Sequence, residues 1–258
     1  ITSAENIRKI TAGSELLAQP GKKVQDAYSL RSVAQVVGAA RDSWQWARQM
    51  IEIELNGAAD NPIFFPEEEE VLTGANFQGV PQALALELLG TAITPVCVLS
   101  ERRFNRWMNP NLNVGLPAFL TRGAGMFSGL MLSQYTSGAL VCENRVLCTP
   151  AATGSIPAAA DQEDFVSMGM TTALKTRQIL DNAQAILAIE FIAAAQALDF
   201  RQPLKPSPAV EAARQAIRKH VAFLDEDRPL YNDINKLKEV VQRGEILEAV
   251  EKVTGPLA

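Results

Sequence analysis

The length of the helix-period segments restricts the fold of this chain more than any other sequence feature. Residues 28–56 run without a proline until a turn sequence ends the pattern. Long helical patterns recur at 82–106, where Pro95 predicts a kink, and at 165–200. The two-residue alternation of half-buried strands is scarce. The sequence therefore predicts an all-α fold built on a bundle of long antiparallel central helices.

Shorter helices are predicted toward the carboxyl end. Ser207 and Pro208 supply an N-cap and a first-turn proline for one of them. Gly244 separates the last two amphipathic segments. We therefore expect two parts, a central helical-bundle portion at 1–202 and a small cap of short helices at 203–258.

The most apolar segment, 119–147, has no charged residue between Gly123 and Cys142. That length raises the possibility of a transmembrane helix. The stretch also contains four glycines and several small polar residues, a composition more typical of a helix buried among other helices. We therefore expect a buried helix and no membrane span.

Composition excludes several other classes of protein. The chain has 258 residues, 47% of them hydrophobic and 21% charged, which is enough apolar surface for a substantial core. A net charge of −5 disfavours a nucleic-acid surface and an anionic membrane partner. His220, the one histidine, is expected to be solvated, and the three cysteines have no metal-ligand spacing. We expect buried free thiols, a cytoplasmic location and no metal site.

Four dense polar clusters interrupt the helical pattern, and the first is QDAYSLR at 25–31. Gln25, Tyr28 and Arg31 are three residues apart, so on a helix they share about a third of the circumference. Arginine offers the bidentate fork that a carboxylate fits. The alternative is an ordinary surface helix start capped by Asp26. The spacing alone leaves both interpretations open.

The other three clusters have loop-like compositions. NGAADNP at 56–62 is typical of a turn, and TGANFQG at 73–79 is a glycine-bounded loop. Phe77 in that loop fits either a pocket wall or the core. The last cluster, SIPAAADQEDFVSMG at 155–169, carries three acids in 161–164. Those acids suit the start of the following helix without any catalytic role.

In this order and spacing, the clusters resemble the C-terminal half of the histidine and aromatic amino acid ammonia-lyase family. Further matching segments are SERR at 100–103, LPAFL at 116–120, AAAQALDFR at 193–201 and LDEDRPLYNDI at 224–234. Members of the family eliminate ammonia from an α-amino acid. They use a methylidene-imidazolone made from an Ala-Ser-Gly tripeptide in the N-terminal half, and this sequence contains no such tripeptide. The resemblance thus implies a carbon–nitrogen lyase whose missing N-terminal half carries the electrophile, and we expect this chain alone to be inactive.

The same resemblance implies roles for five residues. Arg31 matches the arginine that binds the substrate carboxylate, and Gln25 and Tyr28 match neighbours that line the pocket of the electrophile. Phe77 matches the aromatic residue that packs beside the substrate and the prosthetic group. Glu163 matches the glutamate that histidine-specific members place near the amine and side chain of the substrate. Tyr28 and Glu163 are the catalytic candidates, and Gln25, Arg31, Phe77 and Glu163 the substrate-binding ones.

For the substrate, the resemblance implies histidine, converted to urocanate in histidine catabolism. Several positions depart from the histidine-specific pattern, namely Ser32, Ala34, Gln78, Val80, Asp161 and Phe165. The alternatives are a phenylalanine or tyrosine ammonia-lyase, an aminomutase of the same superfamily, or a non-catalytic helical scaffold. The resemblance also implies a homotetramer with active sites built from three subunits.

Overall fold

The computed structural model describes residues 1–20 and 23–258. These residues form ten α-helices, one short 3-10 helix and one antiparallel hairpin. The helices are α1 (Thr2–Thr11), α2 (Glu15–Ala18), α3 (Tyr28–Arg31), α4 (Val33–Leu55), α5 (Val80–Met108), α6 (Met131–Leu147), α7 (Gly169–Asp199), α8 (Pro208–Arg218), α9 (Tyr231–Gln242) and α10 (Glu245–Thr254). The strands are β1 (Ile63–Phe65) and β2 (Glu70–Leu72), and the 3-10 helix is Ala118–Leu120. The predicted all-α class is confirmed.

The described residues divide into two compact units, each assembled from separate stretches of chain. The first unit consists of Ile1–Gly38, Pro95–Glu143 and Asp181–Ala258. The second unit consists of Ala39–Thr94 and Asn144–Leu180. The domain division at residue 202 stays a prediction.

An apolar core organises the first unit. Phe104 of α5 and Ile189 of α7 are buried in it together with Ile217 of α8 and Leu237 of α9. Helix α10 packs against α8 and contributes Ile246 to the same core. Burial of a large apolar side chain stabilises a fold by about 1.5–3 kcal/mol, so the carboxyl-terminal helices are held mainly by this core.

A buried amide links helix α7 to the loops beside it. Gln196 is 1% exposed, and its Nε2 donates to the carbonyl oxygens of Leu120 at 3.2 Å and Leu224 at 2.8 Å. Its Oε1 accepts from the Leu224 amide at 3.1 Å. A buried polar group is tolerated when its hydrogen bonds are satisfied, and these bonds fix the two loops against the helix.

Close approach of α5 and α7 shapes the second unit. A Cβ added to Gly90 would lie 3.0 Å from Cδ1 of Ile179 and 3.3 Å from Oγ1 of Thr176, so a larger residue here would require these side chains to shift. The hydroxyl of Thr176 donates to the Leu86 carbonyl at 2.9 Å. The hairpin of this unit pairs Phe64 with Val71.

The long predicted helices are present, with one break. The segment 28–56 divides at Ser32, whose backbone (φ −101°, ψ 10°) separates α3 from α4. Helix α5 extends beyond the predicted 82–106 at both ends and continues through Pro95. Proline lacks an amide hydrogen, but the length of this helix and its packing maintain it across the missing bond.

The expectation of one buried helix over the apolar segment 119–147 is wrong, because α6 begins only at Met131 and exposes Leu132 to 63% and Tyr135 to 71%. Gly129 has φ +55°, and a Cβ there would lie 2.5 Å from the Phe119 carbonyl oxygen. The carboxylate of Asp227 accepts from the amides of Ser128 at 2.7 Å and Gly129 at 2.8 Å. These tertiary hydrogen bonds stabilise a turn where composition alone favoured a helix.

The predicted helix start at Ser207 and the predicted helix break at Gly244 are confirmed. The hydroxyl of Ser207 caps α8 by accepting from the Val210 amide at 3.2 Å, and Pro208 is the first helical residue. Gly244 adopts φ +75° between α9 and α10. A side chain disfavours that left-handed conformation, so glycine suits the junction.

Among the described residues, two helices, α5 and α7, are long and apolar enough to cross a membrane on length and composition. A third of the most apolar stretch of α5 and half of that of α7 are buried within the protein. Core helices of water-soluble proteins share this length and composition, so the pattern is weak support for a span.

Candidate active site

The first polar cluster is assembled in the first unit and is called the arginine cluster, comprising Gln25, Tyr28 and Arg31. The guanidinium of Arg31 donates to Oε1 of Gln25 and lies over the Tyr28 ring, with Cζ 4.4 Å from the ring centroid. All three side chains are exposed, Tyr28 to 73%. The cluster thus presents a cation, an amide and a phenol to the same open surface.

The expected placement of these three residues on one helix face is partly wrong. Helix α3 begins at Tyr28, so Gln25 lies in the preceding loop rather than on a shared helix face. The side chain of Gln25 folds back to meet Arg31, six residues later. Asp26 does not cap the helix either, because the N-cap position is Ala27 and no side chain caps it.

A partly buried ion pair lies beneath α3. Arg103 of α5 makes a two-pronged interaction with Glu190 of α7, with Nε paired to Oε1 and Nη2 2.8 Å from Oε2. The side chains of Arg103 and Glu190 are 17% and 13% exposed. The remaining nitrogen, Nη1, donates to the carbonyl oxygen of Ser29 at 3.2 Å. This arginine therefore connects the two long helices to the backbone of the short one.

The second, third and fourth polar clusters contact one another in the second unit, and together they form the loop cluster (56–62, 73–79 and 155–168). Oδ1 of Asn61 accepts from the Gly74 amide at 2.8 Å, which joins the first two segments. Nε2 of Gln78 donates to the Phe165 carbonyl at 3.4 Å, which joins the last two. A Cβ at Gly79 would lie 3.0 Å from the Ser167 hydroxyl, so glycine permits this approach.

Phe77 and Glu163 are exposed residues of this loop cluster, Phe77 to 57%. Phe77 is therefore not a core residue of its unit. Glu163 pairs through its backbone with Ala158, in both directions, at 2.9 and 3.2 Å. Within the described ranges 1–20 and 23–258, its carboxylate has no hydrogen-bond or ion-pair partner. The guanidinium of Arg31, in contrast, contacts Gln25 and the Tyr28 ring.

The acids of the fourth cluster do not begin the following helix. Helix α7 starts at Gly169 and has no acidic residue in its first turn. Asp161 instead follows two alanines in a left-handed turn, with φ +65° at Asp161 itself. Left-handed backbone costs roughly 1–2 kcal/mol per non-glycine residue. The helix-dipole interpretation of these acids is therefore wrong, because the non-helical residues 165–168 separate them from the first turn of the helix.

A second ion pair anchors the chain just before the loop that carries Glu163. The carboxylate of Glu87 on α5 accepts from Nζ of Lys175 on α7 and from the amides of Ala151 at 2.7 Å and Ala152 at 3.3 Å. Lys175 also donates to the Thr149 carbonyl. Burial raises the pKa of Glu87, but the hydrogen bonds from Lys175 and the two amides outweigh it, and the net pKa lies below its ordinary value.

The structure thus brings Gln25, Tyr28 and Arg31 together in the first unit and places Phe77 and Glu163 in contacting loops of the second. The residues that hold these groups were not predicted from the sequence. Glu87 and Glu190 carry a recognisable signal, since each is a lone carboxylate in an apolar helical run. Such residues are rarely buried without a partner.

Metal chemistry has no visible donor set. Among the residues the structure describes, no group of three or more His, Cys, Asp or Glu side chains is arranged to hold a metal ion. His220 was expected to be solvated, but its Nε2 lies 2.9 Å from the Glu245 carboxylate. The three cysteines form no disulfide among the described residues, and Cys142 is exposed although it was expected to be buried.

Comparisons with known proteins identify the class. The family described as aromatic amino acid lyase matches residues 1–219. A histidine ammonia-lyase from Symbiobacterium thermophilum is 49% identical over 256 residues, which are 99% of this chain and 50% of that protein. The crystal structure of histidine ammonia-lyase from Trypanosoma cruzi matches 96% of this chain and 46% of its own, with 35% identity and a TM-score of 0.88. Tyrosine aminomutase from Streptomyces globisporus matches the whole chain and 53% of its own, with 42% identity and a TM-score of 0.91.

The chain belongs to the aromatic amino acid lyase family. It spans about half the length of the curated relatives it matches and corresponds to their C-terminal half.

Proposed function

We propose that this chain supplies the substrate-binding half of a histidine ammonia-lyase. The reaction breaks the bond between the amine nitrogen and Cα, removes a proton from the neighbouring carbon, and yields urocanate and ammonia. The observation that carries the proposal is the open arginine cluster, in which Arg31 is already held by Gln25 and Tyr28. A guanidinium oriented in advance binds a carboxylate with little loss of side-chain freedom.

Each predicted site residue has a role in this proposal. Arg31 binds the substrate carboxylate, Gln25 orients the guanidinium, and Tyr28 lines the pocket with its ring and phenol. Phe77 packs against the substrate, and Glu163 pairs with its ammonium or imidazole group. A carboxylate without a protein partner is suited to a cationic ligand.

The prosthetic group must come from outside this sequence, because no Ala-Ser-Gly tripeptide is present. A methylidene-imidazolone supplies the electrophile that activates the amino acid for loss of ammonia. The open and uncharged side chains of Gln25 and Tyr28 fit beside such a neutral ring. The residues of this chain bind and orient the amino acid, and they hold no electrophile of their own.

Histidine is favoured because curated relatives at 42–49% identity are named histidine ammonia-lyases. The second candidate is a lyase or aminomutase acting on tyrosine or phenylalanine. Its support is the tyrosine aminomutase structure, which is more similar in sequence than the Trypanosoma enzyme. Phe165 stands where the histidine-specific pattern has a histidine, and this departure favours the same alternative.

Oligomeric assembly is part of the proposal. Leu132 and Tyr135 on α6 are 63% and 71% exposed, and Met126 before it is 84% exposed. Exposed apolar surface of this kind commonly marks an interface, which supports a homotetramer. We also propose a cytoplasmic location.

The decisive experiment assays the chain alone and together with a separately produced N-terminal half of a close relative. We expect no urocanate from the chain alone, and urocanate with matching ammonia from the mixture. Formation of a β-amino acid without ammonia would favour the aminomutase. Product from the chain alone, above the buffer rate, would overturn the proposal. Sedimentation of the active mixture as a particle with one copy of each half would contradict the tetramer.

A further inference from the structure

The short helix that carries Tyr28 and Arg31 is weakly packed. Of its four residues only Ser29 is buried, while Leu30 is 46% exposed. Leu30 and Arg103 also border a cavity of about 530 Å³ in the first unit, so α3 rests beside open space rather than on the apolar core. An isolated helical turn is unstable in water. Polar contacts from neighbouring elements must therefore hold α3 in place.

Arg103 provides such a contact. Two of its nitrogens are held by the Glu190 carboxylate, and the third donates to the Ser29 carbonyl. The pairing fixes the guanidinium plane, because a bidentate arginine–carboxylate pair has little rotational freedom. With the plane fixed, the hydrogen bond to Ser29 has a defined direction.

We propose that Arg103, held by Glu190, is the positioning residue for Arg31. It fixes the backbone of α3 at Ser29, and so sets where the guanidinium of Arg31 meets the substrate carboxylate. The inference rests on the proposed function only for the identity of that carboxylate. The Arg103–Glu190 pair acts on the position of Arg31 and does not touch the substrate.

Arg103→Lys tests this role, because lysine keeps the charge but cannot bond Glu190 twice and Ser29 once. Arg228→Lys is the matched control. Arg228 pairs with Asp233 and donates to the carbonyls of Phe223 and Ala222, so it has the same kind of contacts without touching α3. Both variants replace one partly buried, carboxylate-paired arginine of the first unit with lysine.

The first measurement uses the 258-residue chain itself. Hydrogen exchange of the Leu30, Arg31 and Ser32 amides is followed on a millisecond-to-second labelling scale. These amides donate within α3 to the carbonyls of Ala27 and Tyr28. We expect about tenfold faster exchange in Arg103→Lys, since loss of a local tertiary contact promotes local opening, and no change in Arg228→Lys. Unchanged exchange in Arg103→Lys would overturn the inference whatever the enzyme does.

The second measurement uses the chain assembled with its N-terminal half and compares inhibition by a substrate-like carboxylic acid and by its amide. We expect Arg103→Lys to reduce the preference for the acid by about tenfold, mainly through a higher inhibition constant for the acid. It should reduce that preference no further when Arg31 is already alanine, because residues acting through one another are not additive. Full additivity, or an equal loss in Arg228→Lys, would contradict a positioning role. Faster α3 exchange in an assembly without lyase activity would support the positioning of α3 and contradict the proposed function.

Discussion

The arginine cluster of the first unit and the loop cluster of the second differ in how their functional side chains are held. The guanidinium of Arg31 contacts both Gln25 and the Tyr28 ring, and the backbone of its helix is bonded to Arg103. The loop around Glu163 is held by backbone bonds and by contacts at its ends, and the carboxylate has no partner within the described residues. The Arg31 guanidinium is oriented before a ligand arrives, and the Glu163 carboxylate is not.

Under the proposed function, this difference corresponds to a division between general recognition of the substrate carboxylate and selection of the substrate side chain. Every amino acid substrate has the same carboxylate, so a fixed cation serves all of them. The substrate side chain varies, and an unpaired acid on a loop adapts more readily than one on a helix. The comparison therefore predicts general effects from changes in the arginine cluster and selective effects from changes in the loop cluster.

The largest effect is expected from Arg31→Ala in the assembled enzyme. Loss of a charge-assisted pair in a site closed from water costs about 2–5 kcal/mol, which is roughly 30-fold to several thousandfold in kcat/KM. The loss should be equal for histidine, tyrosine and phenylalanine. Parallel kinetics on the three amino acids check this, with Arg48→Ala as control, since Arg48 is also paired and lies near an aromatic ring. A loss confined to one substrate would contradict the general effect expected of the arginine cluster.

A smaller and selective effect is expected from Glu163→Gln. The amide keeps the shape but removes the charge, so turnover of histidine should fall by about 10- to 100-fold, the value of a hydrogen bond to a charged group. Turnover of tyrosine and phenylalanine should change little. Asp164→Asn in the same loop is the control. An equal fall for all three substrates would remove the main residue-level support for histidine.

The smallest effect is expected from Glu87→Gln, which weakens the anchor of the loop cluster. We expect a loss on the order of 1 kcal/mol in the free energy of unfolding at neutral pH, measured by denaturant titration. The exposed pair of Glu52 with Arg48 provides the control, and Glu52→Gln should have an effect near zero.

The stability difference between the wild type and Glu87→Gln should also depend on pH. The pKa of Glu87 is lower in the folded protein than its ordinary value. Its stabilising contribution is therefore complete above the pKa of the unfolded chain, about 4.3, and disappears as the pH falls through the lower folded value. The stability difference between the wild type and Glu87→Gln should be constant near neutral pH and shrink below about pH 4. A difference that grows on acidification would contradict the anchor.

Much of the candidate site was readable before the fold was known. The turn chemistry of Asn61 and Gly74 and the charge of Arg31 and Glu163 are local properties of the sequence. The grouping of Gln25 with Arg31 was also predicted, although for an incorrect reason, because a folded-back side chain rather than a helix face unites them. Sequence spacing predicts that the two residues are close, but it does not distinguish a shared helix face from a folded-back side chain.

Features set by local physics could be read from the sequence. Helical periodicity, the cap at Ser207 and the helix break at Gly244 depend on neighbours a few residues away, and all were predicted. The turn before Met131 and the ion pairs of Arg103 and Glu87 depend instead on contacts between distant parts of the chain. Asp227 lies almost a hundred residues from the amides it binds, and Arg103 and Glu190 are 87 residues apart. Such pairings form because burial makes an unpaired charge costly, and that cost exists only once the helices have packed together.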